Sequence, residues 1–120
     1  MNHPIILKLP APPPLNSLYP TVGRKRVKSK RYKAWLTEAG WQLQLQRPGS
    51  IAGPWEIDVG LPRGLTGDID GYLKGMLDLI VSHKIVDDDK HCRRLSIAKA
   101  VTIGADAIIT LTPFSTEEAA

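Results

Sequence analysis

The sequence predicts an α/β (α+β) fold: a small mixed sheet of about four to five strands with two helices packed against it. Three observations predict it. Short apolar runs at residues 5–9, 55–61, 94–101 and 105–111 have strand length and strand composition. Two longer segments, 29–46 and 70–82, repeat apolar residues at helical spacing. The resulting order β, α, β, α, β, β lets both helices bury their apolar faces on one sheet.

Each element has its own warrant. Ile5-Ile6-Leu7-Lys8-Leu9 is a strand stopped by Pro10, and Pro10 to Pro14 lacks the N–H donors a sheet needs, so it is an extended loop. Ser29 is placed to cap a helix that ends before Arg47-Pro48-Gly49. Its buried stripe is Tyr32, Trp35, Leu36, Ala39 and Leu43, with Trp41 and Leu45 off the stripe as candidates for a subunit contact. Gly40 in its interior costs about 1 kcal/mol relative to Ala, which points to close packing there. Trp55-Glu56-Ile57-Asp58-Val59-Gly60-Leu61 alternates apolar with acidic or small residues. The second helix carries Ile69, Tyr72, Leu73, Met76, Leu77 and Ile80 on an apolar arc, with Asp70, Lys74 and Asp78 opposite. Residues 94–101 and 105–111 are expected to form a hairpin through Gly104 that closes the sheet.

The length, 120 residues, is that of one domain spanning 1–120. No apolar run approaches the roughly 18 to 20 residues that cross a bilayer, and Met1-Asn2-His3-Pro4 lacks the pattern of a signal peptide. The single Cys92 rules out an internal disulfide and suits a reducing compartment. A cytoplasmic protein is expected. The core such a chain can build is modest, so dimerisation would help it.

Charge is distributed unevenly. The net charge is +4, yet six of the twelve acidic residues fall between Asp68 and Asp89. Clustered carboxylates repel one another unless a cation sits among them. Asp68 and Asp70 share an ion only if the helix begins between them, leaving Asp68 on an extended approach; otherwise Asp68 is an N-cap and Asp70 a first-turn acid. The run Asp87-Asp88-Asp89 fails as a calcium loop, because Cys92 stands where glycine is required and Ala98 where the closing Glu belongs. His83, His91 and Cys92 lack a fourth ligand for zinc. For Asp89 to meet Asp68, the strand after Asp89 must lie beside the strand before Asp68. Lys74 is either helix support for Asp70 or a phosphate contact.

The basic counterpart is Arg24-Lys25-Arg26-Val27-Lys28-Ser29-Lys30-Arg31-Tyr32-Lys33, which holds seven of the sixteen Lys and Arg residues. Like charges at this density are relieved by phosphates, and counterions are released in the exchange. Tyr19 is a candidate for stacking on a base, whereas Tyr32 is claimed by the core.

Taken together these residues resemble the RusA family of Holliday-junction resolvases. The resemblance is carried by Asp68-x-Asp70, Lys74 four residues on and Ile85-Val86-x-Asp88-Asp89. It is extended by Leu9-Pro10-x-Pro12-Pro13-x-x-Asn16 and Lys28-Ser29-x-x-Tyr32-x-x-Trp35. It covers most of the chain. It implies a homodimeric, bacterial or phage-encoded crossover junction endodeoxyribonuclease that nicks opposing strands of a four-way DNA junction in recombination and repair. The implied cofactor is Mg2+, with Mn2+ a plausible substitute. The implied catalytic residues are Asp68, Asp70, Lys74 and Asp89, and the implied metal ligands Asp68, Asp70 and Asp89 with Asp88 in support. The implied DNA contacts are Asn16, Arg24, Lys25, Arg26, Lys28, Lys30, Arg31 and Lys33. The chain departs from the family at Gly67, Gly71 and His91, where Arg or Lys, Asn and Gln are frequent. Rival readings are a nuclease for other branched or flapped DNA, a non-catalytic DNA-binding protein, and an interaction module using Pro10 to Pro14 and Trp41.

Overall fold

The computed structural model describes residues 4–14, 18–19, 21–22 and 25–114, the side chains of 21–26 excepted. The elements run β1 (Ile5–Pro10), β2 (Thr21–Val22), β3 (Lys25–Arg26), α1 (Lys30–Leu45), β4 (Trp55–Pro62), α2 (Leu73–Ser82), β5 (Cys92–Thr102) and β6 (Asp106–Pro113). Short 3-10 turns at Ile69–Tyr72 and Asp89–His91 precede α2 and β5. The fold is mixed α+β, as the sequence predicts, with β2 and β3 adding a small antiparallel ribbon that the sequence pattern did not signal.

Local chemistry explains the elements. Ser29 caps α1 by accepting a hydrogen bond from the Tyr32 N–H at 3.0 Å. Tyr32, Trp35, Ala39, Gly40 and Leu43 form its buried face. At Gly40 the ring of His83 lies so close that a Cβ would stand 3.0 Å from its Nε2, which accounts for glycine in mid-helix. In β4, Trp55, Ile57, Val59 and Leu61 point into the core, and Asp58 is exposed.

The sheet order is β1-β6-β4-β5, with β1–β6 and β6–β4 antiparallel and β4–β5 parallel. This corrects the expected hairpin: β5 and β6 are consecutive in sequence, but β4 lies between them. Burial supplies the reason. The strands β4 and β6 bury Ile57, Val59, Ala107, Ile109 and Leu111 and take the centre. β5 exposes Arg93, Arg94, Leu95 and Ser96 and takes the edge.

The core contains Leu7, Leu9, Tyr32, Trp55, Met76, Ile80 and Leu111, all fully buried. It ties the helices to β1, β4 and β6.

Candidate functional site

The unit that carries the candidate residues is β4–α2–β5. The chain leaves β4 at Pro62, turns through residues 63–72, returns along α2 and enters β5 after Asp87-Asp88-Asp89. The strand after Asp89 does lie beside the strand before Asp68, Trp55 pairing with Cys92 and Pro62 with Thr102. Because the pair is parallel, however, the segment leaving β4 and the segment entering β5 sit at opposite ends.

Both ends are anchored. At the start of the strands, Trp55 Nε1 donates to the Asp88 carbonyl at 3.2 Å. At the far end, Lys99 Nζ donates to the Gly67 carbonyl at 2.6 Å. Cys92 and Lys99 are roughly 23 Å apart along the strand at ~3.3 Å per residue.

Asp68 and Asp70 therefore follow the end of β4, and Asp88 and Asp89 precede the start of β5. Asp68 has extended backbone and precedes the 3-10 turn in which Asp70 lies, so the helical segment does begin between them. Both carboxylates are exposed. Among the described residues, no group of three or more His, Cys, Asp or Glu side chains is placed to hold a metal ion.

A recess of about 400 Å³ gathers the other candidates. Lys28, Lys74, Asp88 and Asp89 line it together with Tyr19, Tyr32 and Asp78, whereas Asp68 and Asp70 do not. The Asp88 carboxyl is held below its ordinary pKa, first by the Lys90 N–H that donates to its Oδ1 at 3.0 Å. Outside the recess, Asp87 lies 2.9 Å from His91 Nδ1, and that hydrogen bond is the leading cause of its lowered pKa.

Lys74 is paired differently from the expectation. Its ammonium meets Asp78 Oδ1 at 3.1 Å rather than Asp70. Asp70 lies in the 3-10 turn Ile69–Tyr72, before the regular α-helix that carries Lys74 and Asp78. Asp78 has the same four-residue spacing from Lys74, so the signal was present in the sequence without a role attached. Its Oδ2 also accepts from the Tyr32 hydroxyl at 2.9 Å, with the Tyr19 hydroxyl at 3.5 Å.

The basic segment is placed in part. Lys28, Lys30, Arg31 and Lys33 are exposed at the start of α1, and Lys28 reaches the recess. Asn16 and Arg24 lie outside the described residues, as do the side chains of Lys25 and Arg26. Trp41 and Leu45 are each 68% exposed, and Trp41 borders a separate apolar slot with Leu36, Gly40 and His83.

Gly67 has a local explanation. The Tyr72 hydroxyl accepts from its N–H at 2.7 Å, and a Cβ would stand 2.8 Å from that oxygen. Tyr72 is only 3% exposed and has little room to yield. Gly67→Ala is expected to cost ~1–3 kcal/mol, read as a lower urea midpoint; an unchanged midpoint would mean that the tyrosine moves freely.

Compared with known proteins, the chain matches no family model and no curated protein.

Proposed function

We propose that the chain is a structure-specific endodeoxyribonuclease of the RusA type, acting on four-way or other branched DNA as a homodimer with a divalent cation. The observation that carries the reading is the recess in which Lys74 stands with Asp88 and Asp89 beside Lys28. An ammonium next to carboxylates, open to solvent and flanked by a basic helix start, suits a phosphodiester backbone.

Asp68 and Asp70 follow the end of β4 and Asp88 and Asp89 precede the start of β5, an arrangement in which a dimer would have a chemical role. β5 is an edge strand of eleven residues, and on it or just beyond it Leu95, Val101 and Ile103 are exposed. Antiparallel pairing of this edge with a second copy about a two-fold axis would set the start of one β5 beside the end of the other. Asp88 and Asp89 would then face the partner subunit's Asp68 and Asp70. The exposed Lys90 and Arg93 at the start of β5 complement the same acidic end. Two equivalent composite sites would match the two-fold symmetry of a four-way junction. A magnesium ion held by those aspartates would supply activation of water and shielding of charge on the leaving oxygen.

Incubating a synthetic four-way junction with and without magnesium tests the function. Paired symmetric nicks only with the metal are expected, and a panel of flaps and forks separates the junction from other branched substrates. One observation favours a second reading: the lack of a three-carboxylate group among the described residues of one chain suits a non-catalytic DNA-binding protein. That protein would bind the junction equally in EDTA and never nick it.

A further inference from the structure

We infer that Asp78 is the positioning residue for Lys74, a carboxylate clamped by Tyr32 that fixes where the Lys74 ammonium stands in the recess. The inference rests on the nuclease reading and adds a residue to its machinery. The Asp78 oxygens take separate tasks. Oδ1 holds Lys74 Nζ at 3.1 Å, and Oδ2 takes the Tyr32 hydroxyl at 2.9 Å. Tyr32 is fully buried on α1, so its ring is a fixed post against which the α2 carboxylate is set. The lysine is thereby held from a second element of the core, whereas a free surface lysine samples many rotamers. At 46% side-chain exposure it still presents donors to a substrate.

The other charged and titratable groups facing Lys74 across the recess are Lys28, Tyr19, Asp88 and Asp89. The Asp78 hydrogen bond is the largest influence on Lys74 and raises its pKa, partly opposed by burial. Burial first, and Asp78 second, push the Tyr32 phenol far above its ordinary value, so it remains a donor. With the lysine value raised on folding, the pair's contribution is complete below the ordinary lysine pKa. It is lost only as pH rises through the higher folded value. Throughout the neutral range the clamp is closed.

The test compares wild type, Asp78→Asn, Asp78→Glu and Tyr32→Phe. Junction nicking gives kcat and KM, and NMR of ¹³C-labelled lysine gives the Lys74 titration. Asn keeps an acceptor for Tyr32, so the fold is retained, and thermal melting checks this. Asp78→Asn is expected to lower kcat roughly 10- to 100-fold with KM little changed. The Lys74 titration should shift to lower pH, and Asp78→Glu should restore part of both. Tyr32→Phe should lower kcat less, because the ion pair survives without its post. A variant with wild-type kcat and an unmoved Lys74 titration would overturn the inference. A wild-type protein that never nicks would instead sink the nuclease reading, and the Lys74 titration alone would then report whether the clamp exists.

Discussion

Asp70→Asn is expected to abolish magnesium-dependent nicking of a four-way junction while leaving junction affinity almost unchanged. Asn preserves the volume of Asp and removes the charge that a hard cation requires. The exposed position in a 3-10 turn means that the fold loses little, about 0.3–1 kcal/mol for an acid near a helix start. Loss of an electrostatic group aimed at the reacting phosphate costs at least roughly 10²–10³ in kcat, and loss of the cation itself costs more. Cleavage assays on a labelled junction, beside gel-shift affinities, check both halves. Persistent cleavage would remove Asp70 from the site, and lost binding with retained cleavage would contradict the assignment outright.

The second large effect is on stability. Trp55→Ala is expected to cost ~3–5 kcal/mol, against a total near 5–15 kcal/mol for a domain of this kind. Trp55 is fully buried at the start of β4, where its strand joins β5. Its indole N–H also donates to the Asp88 carbonyl. The substitution opens a cavity and frees the backbone of the acidic turn in one step. Urea denaturation should show a much lower midpoint with the slope preserved. A loss below about 1 kcal/mol would mean that the core collapses around the missing ring.

Much of this architecture was legible in the residues. Ser29 before an apolar stripe located α1 to within a residue of its observed start, because capping and periodicity are local properties. The alternation from Trp55 to Leu61 located β4 for the same reason. Pairing was less legible. Strand order depends on which strands bury more surface, and nothing local to 92–113 reveals that β4 intervenes between β5 and β6. The direction of the β4–β5 pair is equally non-local, yet it decides that Asp68 follows the end of one strand and Asp89 precedes the start of the other. Lys74 shows a finer limit. Asp70 and Asp78 are both four residues away, and Lys74 pairs with Asp78, which Tyr32 on α1 also holds.

A mixture of two inactive variants tests the shared site most directly. Asp70→Asn and Asp89→Asn each leave both sites of their own homodimer defective. Subunit exchange should produce heterodimers in which one composite site carries both substitutions and the other carries none. The mixture should then regain nicking at roughly a quarter of the wild-type number of sites, as single nicks in place of paired cuts. If the wild-type protein cleaves, both variants dimerise and exchange, and the mixture stays inactive, the aspartates do not meet across the β5 edge.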